Sequence, residues 1–466
     1  MGRRIAAAVL VLVAGWVAVA AQGGPREVSL VVVNGLVVTM DGGRRILERG
    51  AVAIDGADIV AVDTDEAVRR QFRGRETIDA DGQVVMPGLV NTHTHAPMVL
   101  FRGLADDLAL MEWLNNYIFP AEAKMVSPEF VRAGTRLAAL EMIGSGTTTF
   151  ADMYYFEDDI AKETSAAGLR GVLGQTVIQF PVPDAKTPAD GLARAEAFIQ
   201  AYRRDPLITP AVAPHAMYTL DGPTLKAAGE LAKKYAVPTL IHLAETRDEV
   251  QTAQERFRGS PVAYLDSLGF LGPGVVGAHG VWVSDPEIAL LKTRGVGISH
   301  NPESNMKLAS GTAPVTGYLR AGVAIGLGTD GAASNNDLDM FEAMRMASLL
   351  HKLQTVDPRA VGARTALEMA TIGGARVLGL EKQVGSLEPG KRADLIVVDM
   401  RSARQTPMYD PVSHLVYVTR GDDVRTTIVQ GRVLMRDRKM LTLDAPAVLA
   451  DARAWAVKVR QAVAAR

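Results

Sequence analysis

The chain of 466 residues contains no cysteine. Thiolate nucleophiles, disulfide bonds, cysteine-based zinc sites and lipoprotein acylation are therefore excluded. Any metal ion that this chain binds must be held by histidine, aspartate or glutamate. The 8 histidines and the 52 acidic residues are accordingly the side chains that matter for metal chemistry.

An excess of charge of one sign is also missing. Lysine and arginine number 50 against 52 acidic residues, the formal net charge is -2, and no run of like charges occurs. Nucleic acids and anionic membranes attract proteins through basic patches, so neither is an expected partner. We expect the partner to be a small molecule.

Long hydrophobic runs are confined to the first 22 residues. Two arginines precede an apolar stretch from Ile5 to Ala20, which ends in small residues suited to a cleavage site. This pattern predicts a secretory signal peptide over residues 1–22 and a protein exported to the periplasm or the cell exterior. A retained anchor is the alternative, but about 16 apolar residues fall short of the roughly 20 that span a bilayer. No stable membrane span is expected after cleavage.

Two kinds of region follow the signal segment. β-Branched runs broken by turns fill residues 27–86 and return in 381–445, which predicts a small β-sandwich domain formed from both chain ends. Asn34-Gly35 lies between two such runs and predicts a hairpin turn. Residues 87–380 alternate short apolar runs with helical stretches, and this predicts an α/β fold, a (β/α)8 barrel of the TIM type. A C-terminal helix is expected over residues 446–466.

Six of the eight histidines fall at the ends of the candidate barrel strands. We predict these strands at Gly88–Asn91, Thr147–Phe150, Arg170–Leu173, Thr209–Ala213, Thr239–Leu243, Val275–Ala278, Val296–Ser299 and Ala324–Leu327. The residues at or just past their ends are His93, His95, His215, His242, His279, His300 and Asp330. Because the carboxyl ends of barrel strands form one face, where active sites are built, we expect these side chains to converge.

Four of these residues form a candidate metal site. His93 and His95 are two apart on a strand and point the same way, although such a pair alone is a weak signal. His242 and Asp330 end two further strands and complete a set of nitrogen and oxygen ligands for one divalent metal ion. Asp330 could instead cap a helix, but the conjunction of the four residues favours a metal. Zinc, iron and manganese remain open, because geometry and supply choose among them.

A hydrolytic metal needs a general acid and base beside its water. Glu245 lies three residues after His242 and is the candidate; the alternative is a solvated glutamate that opens the next helix. His279 is a second candidate, for orienting the water, unless it is a core histidine bound to a carbonyl. His300 is a weaker candidate, for a residue that supports the site without binding the metal or the water. The two histidines away from the strand ends are assigned no role.

These residues lie in longer motifs that resemble the amidohydrolase superfamily. The resemblance is to the group that contains 5'-methylthioadenosine/S-adenosylhomocysteine deaminases, guanine deaminase and triazine chlorohydrolases, and it covers almost everything after the signal segment. The motifs are Pro87-Gly88-Leu89-Val90-Asn91-Thr92-His93-Thr94-His95, Arg102-Gly103-Leu104-Ala105-Asp106-Asp107, Met111-Glu112-Trp113-Leu114, Phe119-Pro120-Ala121-Glu122, Ser299-His300-Asn301-Pro302-Glu303-Ser304-Asn305-Met306-Lys307-Leu308 and Gly328-Thr329-Asp330-Gly331.

The resemblance implies hydrolytic deamination of an adenine nucleoside. It implies one metal ion, usually zinc, on the same four ligands. Glu245 would carry protons to the ring nitrogen and the leaving amine, while His279 and Asp330 would assist in activating the water. The products would be the hypoxanthine analogue and ammonia. The resemblance also suggests a homodimer or homotetramer.

Further residues implied by the resemblance concern the substrate. His215 would hydrogen-bond the purine and Glu122 would hold the ribose hydroxyls, which favours a nucleoside over a free base or a triazine. Several relatives carry an arginine near the end of the third strand for a substrate carboxylate. Here that stretch is Leu173-Gly174-Gln175-Thr176-Val177. Methylthioadenosine and adenosine are therefore favoured over S-adenosylhomocysteine.

Three alternatives stay open at this point. The same site would serve a guanine or triazine aminohydrolase or a chlorohydrolase. A metal-free binding barrel is disfavoured because every expected ligand and Glu245 are present. A two-metal enzyme that cleaves peptides or cyclic imides is disfavoured because Ala213-Pro214-His215 offers no bridging lysine or glutamate at the end of the fourth strand.

Overall fold

The computed structural model describes residues 24–464, so the predicted signal peptide lies outside the described residues. Short segments with the β-branched pattern form strands at both ends of the chain, and the central region alternates strands with helices. The strands are β1 (Arg26–Val38), β2 (Ile46–Asp55), β3 (Asp58–Thr64), β4 (Phe72–Asp79), β5 (Val84–Pro87), β6 (Leu89–Thr94), β7 (Thr147–Tyr154), β8 (Arg170–Val177), β9 (Ile208–Pro214), β10 (Thr239–Leu243), β11 (Val275–His279), β12 (Gly297–His300), β13 (Ala324–Leu327), β14 (Leu395–Val398), β15 (Val424–Val429), β16 (Arg432–Arg436) and β17 (Lys439–Met440).

The helices lie mostly between the central strands. They are α1 (Asp65–Gln71), α2 (Leu110–Trp113), α3 (Phe119–Met125), α4 (Pro128–Ser145), α5 (Glu157–Ala167), α6 (Pro188–Tyr202), α7 (Gly222–Tyr235), α8 (Arg247–Phe257), α9 (Pro261–Ser267), α10 (Asp285–Arg294), α11 (Pro302–Lys307), α12 (Val315–Ala321), α13 (Met340–Thr355), α14 (Ala363–Glu368), α15 (Gly374–Val377), α16 (Pro411–Tyr417) and α17 (Ala445–Ala464). Of the helices within residues 24–464, none has both the length and the apolar character to cross a bilayer.

Strands β6 to β13 form one eight-stranded parallel sheet in sequence order. The first and last strands meet at their carboxyl ends. The Asp330 amide donates to the His93 carbonyl at 2.9 Å, and the Asn91 side-chain amide donates to the Thr329 hydroxyl at 2.8 Å. The predicted (β/α)8 barrel is therefore confirmed.

The barrel strands match the predicted ones, but some of them run longer. β7 and β8 end at Tyr154 and Val177, four residues beyond the predicted ends at Phe150 and Leu173. The ladder continues past each apolar run because polar residues still pair with the neighbouring strand, as Tyr154 does with Gln175. Hydrophobicity therefore marks where these strands begin better than where they end.

A second, nine-stranded mixed sheet contains both ends of the chain. Its order is β17-β16-β15-β14-β5-β1-β2-β3, and β4 also pairs with β1. β14, from the C-terminal part, runs antiparallel to β5, from the N-terminal part, so the two parts meet within the sheet. The predicted separate β domain built from both chain ends is confirmed.

The hairpin predicted at Asn34-Gly35 is wrong, because β1 continues through these residues. Asn34 has a φ of 55°, and the register between β1 and β2 shifts between Val32 and Gly35. This bulge lets β1 change partners: it pairs with β4 as far as Val33 and with β5 from Leu36. A bulge and a tight turn both need the left-handed backbone that Asn and Gly adopt easily, so the dipeptide alone does not distinguish them.

Gly328 permits the close approach of the last strand to the rest of the barrel. A Cβ atom at this position would lie 2.6 Å from Asn301 Oδ1 and 2.9 Å from the His93 amide nitrogen. Both contacts are closer than real Cβ atoms allow. A larger side chain would therefore push Asp330 away from His93.

Candidate active site

The four predicted metal ligands converge at the carboxyl ends of β6, β10 and β13. His242 Nε2 lies 3.3 Å from His95 Nε2. Asp330 Oδ1 lies 3.4 Å from Nε2 of both His93 and His95. Four donor atoms around one point at these separations suit a single ion with bonds of about 2.0–2.2 Å.

The histidine rings are oriented with Nε2 towards this centre. His95 donates from Nδ1 to the Met153 carbonyl at 2.7 Å, and His242 donates from Nδ1 to the His215 carbonyl at 2.8 Å. A carbonyl only accepts, so both rings carry the proton on Nδ1 and leave a lone pair on Nε2. His93 Nε2 is buried without a hydrogen-bond partner. The residues present therefore fit one divalent transition metal ion.

Asp330 is held by its neighbours in a left-handed conformation, with a φ of 65°. Ser304 donates to its Oδ2 at 2.6 Å, and the Gly331 amide donates to its Oδ1 at 2.7 Å. The following helix, α13, is capped by Asp339 and not by Asp330. The helix-cap interpretation of Asp330 is thus excluded, and its carboxylate is available to the centre.

Glu245 and His279 face each other beside the four ligands. Glu245 Oε2 lies 3.8 Å from His279 Nε2, which lies 3.9 Å from Asp330 Oδ2. The Asn305 amide oxygen lies 2.9 Å from His279 Nδ1, so this nitrogen carries the proton and Nε2 faces the site. Burial, with a further effect of the Asp330 carboxylate, raises the pKa of Glu245 well above its usual value. Glu245 is 3% exposed, which excludes a solvated surface role.

A cavity opens beside this centre. Its wall is mainly apolar and aromatic and includes Met98, Leu110, Trp113, Leu114, Ile118 and Leu308. His95, His242, Glu245, His279 and Asp330 lie in the same wall. Among residues 24–464, no arginine or lysine lines this cavity. The site therefore suits a largely uncharged small molecule.

Glu122 and His215 also line this cavity. Glu122 lies on α3, is 5% exposed and accepts a hydrogen bond from the Tyr154 hydroxyl at 2.8 Å. Burial raises the pKa of Glu122 to about 7, against the opposite effect of the tyrosine hydroxyls. His215 follows β9, and burial lowers its pKa to about 3, so the ring is neutral. Both predicted substrate-binding side chains therefore face the same space as the metal site.

A match to the amidohydrolase family covers residues 84–434, which include the whole barrel and all four candidate ligands. The chain belongs to the amidohydrolase family. Amidohydrolases depend on metal ions, in agreement with the cluster of histidine and aspartate side chains at the barrel mouth.

Three relatives are similar to this amidohydrolase over nearly its whole length. A 5-methylthioadenosine/S-adenosylhomocysteine deaminase from Syntrophobacter fumaroxidans is 48% identical over 430 residues, which cover 92% of this chain and 98% of the relative. A 5'-deoxyadenosine deaminase from Methanosarcina mazei is 46% identical, covering 91% and 96%. The crystal structure of an adenosine deaminase from Xanthomonas campestris, with bound zinc, has a TM-score of 0.92 at 39% identity and covers 94% of this chain and 100% of that chain.

Sequence reasoning missed several residues that support the site. Tyr154 was overlooked because the apolar run that marked its strand ends four residues earlier. Ser304 and Asn305 lie inside the motif Ser299–Leu308, and membership of this motif is the sequence signal that points to them. Glu249, which contacts the backbone of Glu245, carries no such signal.

His300 lies away from the four ligands, paired with a histidine that was assigned no role. Its Nε2 lies 3.0 Å from Nε2 of His351 on α13, and both side chains are fully buried. Burial lowers the pKa of both rings below the usual value. Their neutral forms are therefore favoured in the folded state. His414, the other histidine left without a role, is half-buried on α16.

This pair predicts a measurable acid sensitivity. The unfolded chain takes up a proton on each histidine near pH 6.5, whereas the folded state resists it, so the free energy of unfolding falls as the pH drops below 6.5. His351→Gln is expected to make this fall shallower, by up to about 1.4 kcal/mol per pH unit for one proton. Urea unfolding of metal-free protein between pH 7.5 and 4.5 measures the slope. His414→Gln is the control, and equal slopes for wild type and His351→Gln would contradict the prediction.

Proposed function

We propose that this amidohydrolase deaminates the adenine base of a nucleoside by metal-assisted hydrolysis. The observation that carries the proposal is that Glu122 and Glu245 line the same cavity as three of the four ligands, His95, His242 and Asp330. The three similar proteins described above are deaminases of adenine nucleosides by name, which supports the same reaction class. A guanine or triazine substrate has no ribose and would offer no sugar hydroxyl to the buried Glu122, whose partner in the protein is the Tyr154 hydroxyl.

The metal is proposed to be zinc, held by His93, His95, His242 and Asp330. The all nitrogen and oxygen donor set suits zinc, and the similar adenosine deaminase binds zinc. When bound, the ion supplies an activated water for attack on the amino-bearing carbon of the purine. Iron and manganese are the alternatives, because the same ligands accept them.

Proton transfer is assigned to Glu245. Burial raises the pKa of the Glu245 carboxyl group, which makes it better able to hold a proton between the steps in which it accepts and returns one. Glu245 takes the proton from the attacking water, delivers it to the ring nitrogen and assists departure of the amine as ammonia. His279, whose Nδ1–H is bound by Asn305, presents Nε2 to orient the water. Nucleoside and water are thus converted to the hypoxanthine nucleoside and ammonia.

Glu122 is proposed to accept hydrogen bonds from the ribose hydroxyls. Above pH 7, where the Glu122 carboxyl group is ionised, Glu122→Gln is expected to raise KM for adenosine by about tenfold to a hundredfold, since a hydrogen bond to a charged group contributes about 1.5–3 kcal/mol. Steady-state kinetics with adenosine and 2',3'-dideoxyadenosine measure this. The preference for adenosine over the dideoxy analogue is expected to shrink in the variant. An unchanged preference would remove Glu122 from ribose binding.

The 5' substituent is proposed to be small and uncharged. The cavity wall offers Leu110, Trp113 and Leu114, and within residues 24–464 it contains no arginine or lysine to meet an amino-acid carboxylate. Gln175, in the stretch where some relatives carry an arginine, is bound to Asp184 at 2.9 Å. Methylthioadenosine, 5'-deoxyadenosine and adenosine are therefore expected to be better substrates than S-adenosylhomocysteine.

The reaction class is tested by ammonia release together with the ultraviolet change from adenine to hypoxanthine. Purified protein is given adenosine, methylthioadenosine, 5'-deoxyadenosine, S-adenosylhomocysteine, guanine and a chlorotriazine, with and without added zinc. Metal-dependent turnover of the adenine nucleosides, with S-adenosylhomocysteine slowest, is the expected result. Activity on guanine or the triazine alone would contradict the nucleoside proposal but keep the metal site.

Export is proposed from the composition of residues 1–22 alone. Cell fractionation of the full chain, with mass spectrometry of the mature N-terminus, is expected to find cleaved protein outside the cytoplasm. Full-length protein in the cytoplasm would contradict export, and full-length protein in the membrane would indicate a retained anchor. The homodimer or homotetramer predicted from the resemblance stays a prediction that light scattering tests.

A further inference from the structure

The chain makes an unusual link between β10 and α8. Ala244 follows β10 with a φ of 48°, a left-handed backbone that alanine rarely adopts. Glu245 comes next, and Thr246 caps α8 by accepting the Glu249 amide at 3.2 Å. The proposed proton carrier therefore lies in a strained link whose conformation must be held by contacts outside it.

The side chain of Glu249 supplies one of these contacts. Its Oε1 accepts from the Ala244 amide at 3.0 Å and its Oε2 accepts from the Glu245 amide at 2.8 Å. Glu249 is 3% exposed and does not belong to the cavity wall. Both carboxylate oxygens are thus committed to two adjacent peptide groups, of which one is that of Glu245 itself.

The loop after His279 holds the link from its other side. The Ala244 carbonyl accepts from the amides of Val281 at 3.1 Å and Trp282 at 2.9 Å. The Glu249 carboxylate and this loop together fix the link relative to His279. In that arrangement Glu245 Oε2 lies 3.8 Å from His279 Nε2.

Ordinary helix capping does not account for Glu249. A glutamate at the third position of a helix usually reaches back to the amide of the cap residue. Glu287 does this in α10, where it accepts from the Ser284 amide at 2.7 Å. Glu249 holds the same position in α8 but bonds the two residues before the cap, Ala244 and Glu245.

We infer that Glu249 is a positioning residue for the deamination: its carboxylate holds the backbone of Glu245 so that the Glu245 side chain faces His279 and the substrate. The inference rests on the proton-carrying role proposed above for Glu245. Glu249 contributes through Glu245 and does not itself contact substrate or metal.

The test compares Glu249→Gln and Glu249→Ala with the matched control Glu287→Gln. A glutamine side chain keeps one acceptor oxygen, so one of the two amides loses its partner, and alanine removes both acceptors. We expect kcat to fall at least tenfold in Glu249→Gln and further in Glu249→Ala. KM and bound metal per chain are expected to stay within about twofold of wild type. Glu287→Gln, which alters a helix cap outside the site, is expected to keep wild-type kcat.

Two results would overturn the inference. One is a kcat within twofold of wild type in Glu249→Gln. The other is a loss of kcat that is matched by loss of metal or by a rise in KM, since that indicates general disruption of the site. Glu245→Gln, measured in parallel, distinguishes a failure of the role proposed for Glu245 from a failure of the role inferred for Glu249. If Glu245→Gln is fully active, the proposed role of Glu245 fails; if it is inactive while Glu249→Gln is fully active, only the inference fails.

Discussion

Glu245→Gln is expected to keep the metal bound and to lower kcat for adenine nucleosides by about 10²- to 10⁴-fold. Glutamine fills the same volume but neither accepts nor returns a proton, and Glu245 is not among the four converging ligands. Its carboxylate instead lies 3.8 Å from His279 Nε2, on the cavity side of the centre. Steady-state kcat and elemental analysis of metal per chain measure the two effects separately.

The control for this variant is Glu255→Gln, on the exposed face of α8, the helix that follows Glu245. It is expected to match wild type in both measurements. Full activity of Glu245→Gln would remove this residue from proton transfer. Loss of the metal in Glu245→Gln would show instead that the carboxylate is a ligand.

His242→Ala is expected to lose both the metal and detectable turnover. His242 Nε2 lies 3.3 Å from His95 Nε2, and the ring is fixed by its bond to the His215 carbonyl, so it supplies one of four donors to the ion. A bound ligand stabilises the folded state by about 4 kcal/mol when present at a thousand times its Kd. The rise in melting temperature on adding zinc is therefore expected in wild type and absent in the variant.

His414→Ala is the control for His242→Ala. It removes a half-buried histidine on α16 and is expected to retain one metal ion per chain and the zinc-dependent rise in melting temperature. A stoichiometric metal in dialysed His242→Ala would exclude His242 from the ligand set.

The barrel was predictable from sequence because strand-to-helix alternation and the histidines at the strand ends are both local signals. The ends of β7 and β8 were not, because main-chain pairing continues where side chains turn polar. The bulge at Asn34 was not predicted. It lies where β1 changes its partner from β4 to β5, and this change depends on strands that are remote in the sequence.

Some residues of the candidate site were likewise predictable from the sequence and others were not. The ligands follow from residue type and position on a strand, which a sequence displays directly. The contact of Tyr154 with Glu122 depends on how β7 packs against α3, and no local pattern predicts it. Glu249 is only four residues from Glu245, but its contact depends on the left-handed turn at Ala244, which nothing in the residue type indicates.

The barrel closes, where its first strand meets its last, at the metal centre. The first and last strands, more than two hundred residues apart in the chain, are joined by Asn91 with Thr329 and by His93 with Asp330, and the last two are also candidate ligands. Closing the barrel therefore also brings Asp330 to His93, and the affinity for the ion is expected to depend on this closure. A change at Asn91 or Thr329 would act at a distance on the ion without touching it. Conversely, removal of the ion is expected to weaken the contact between the first and last strands.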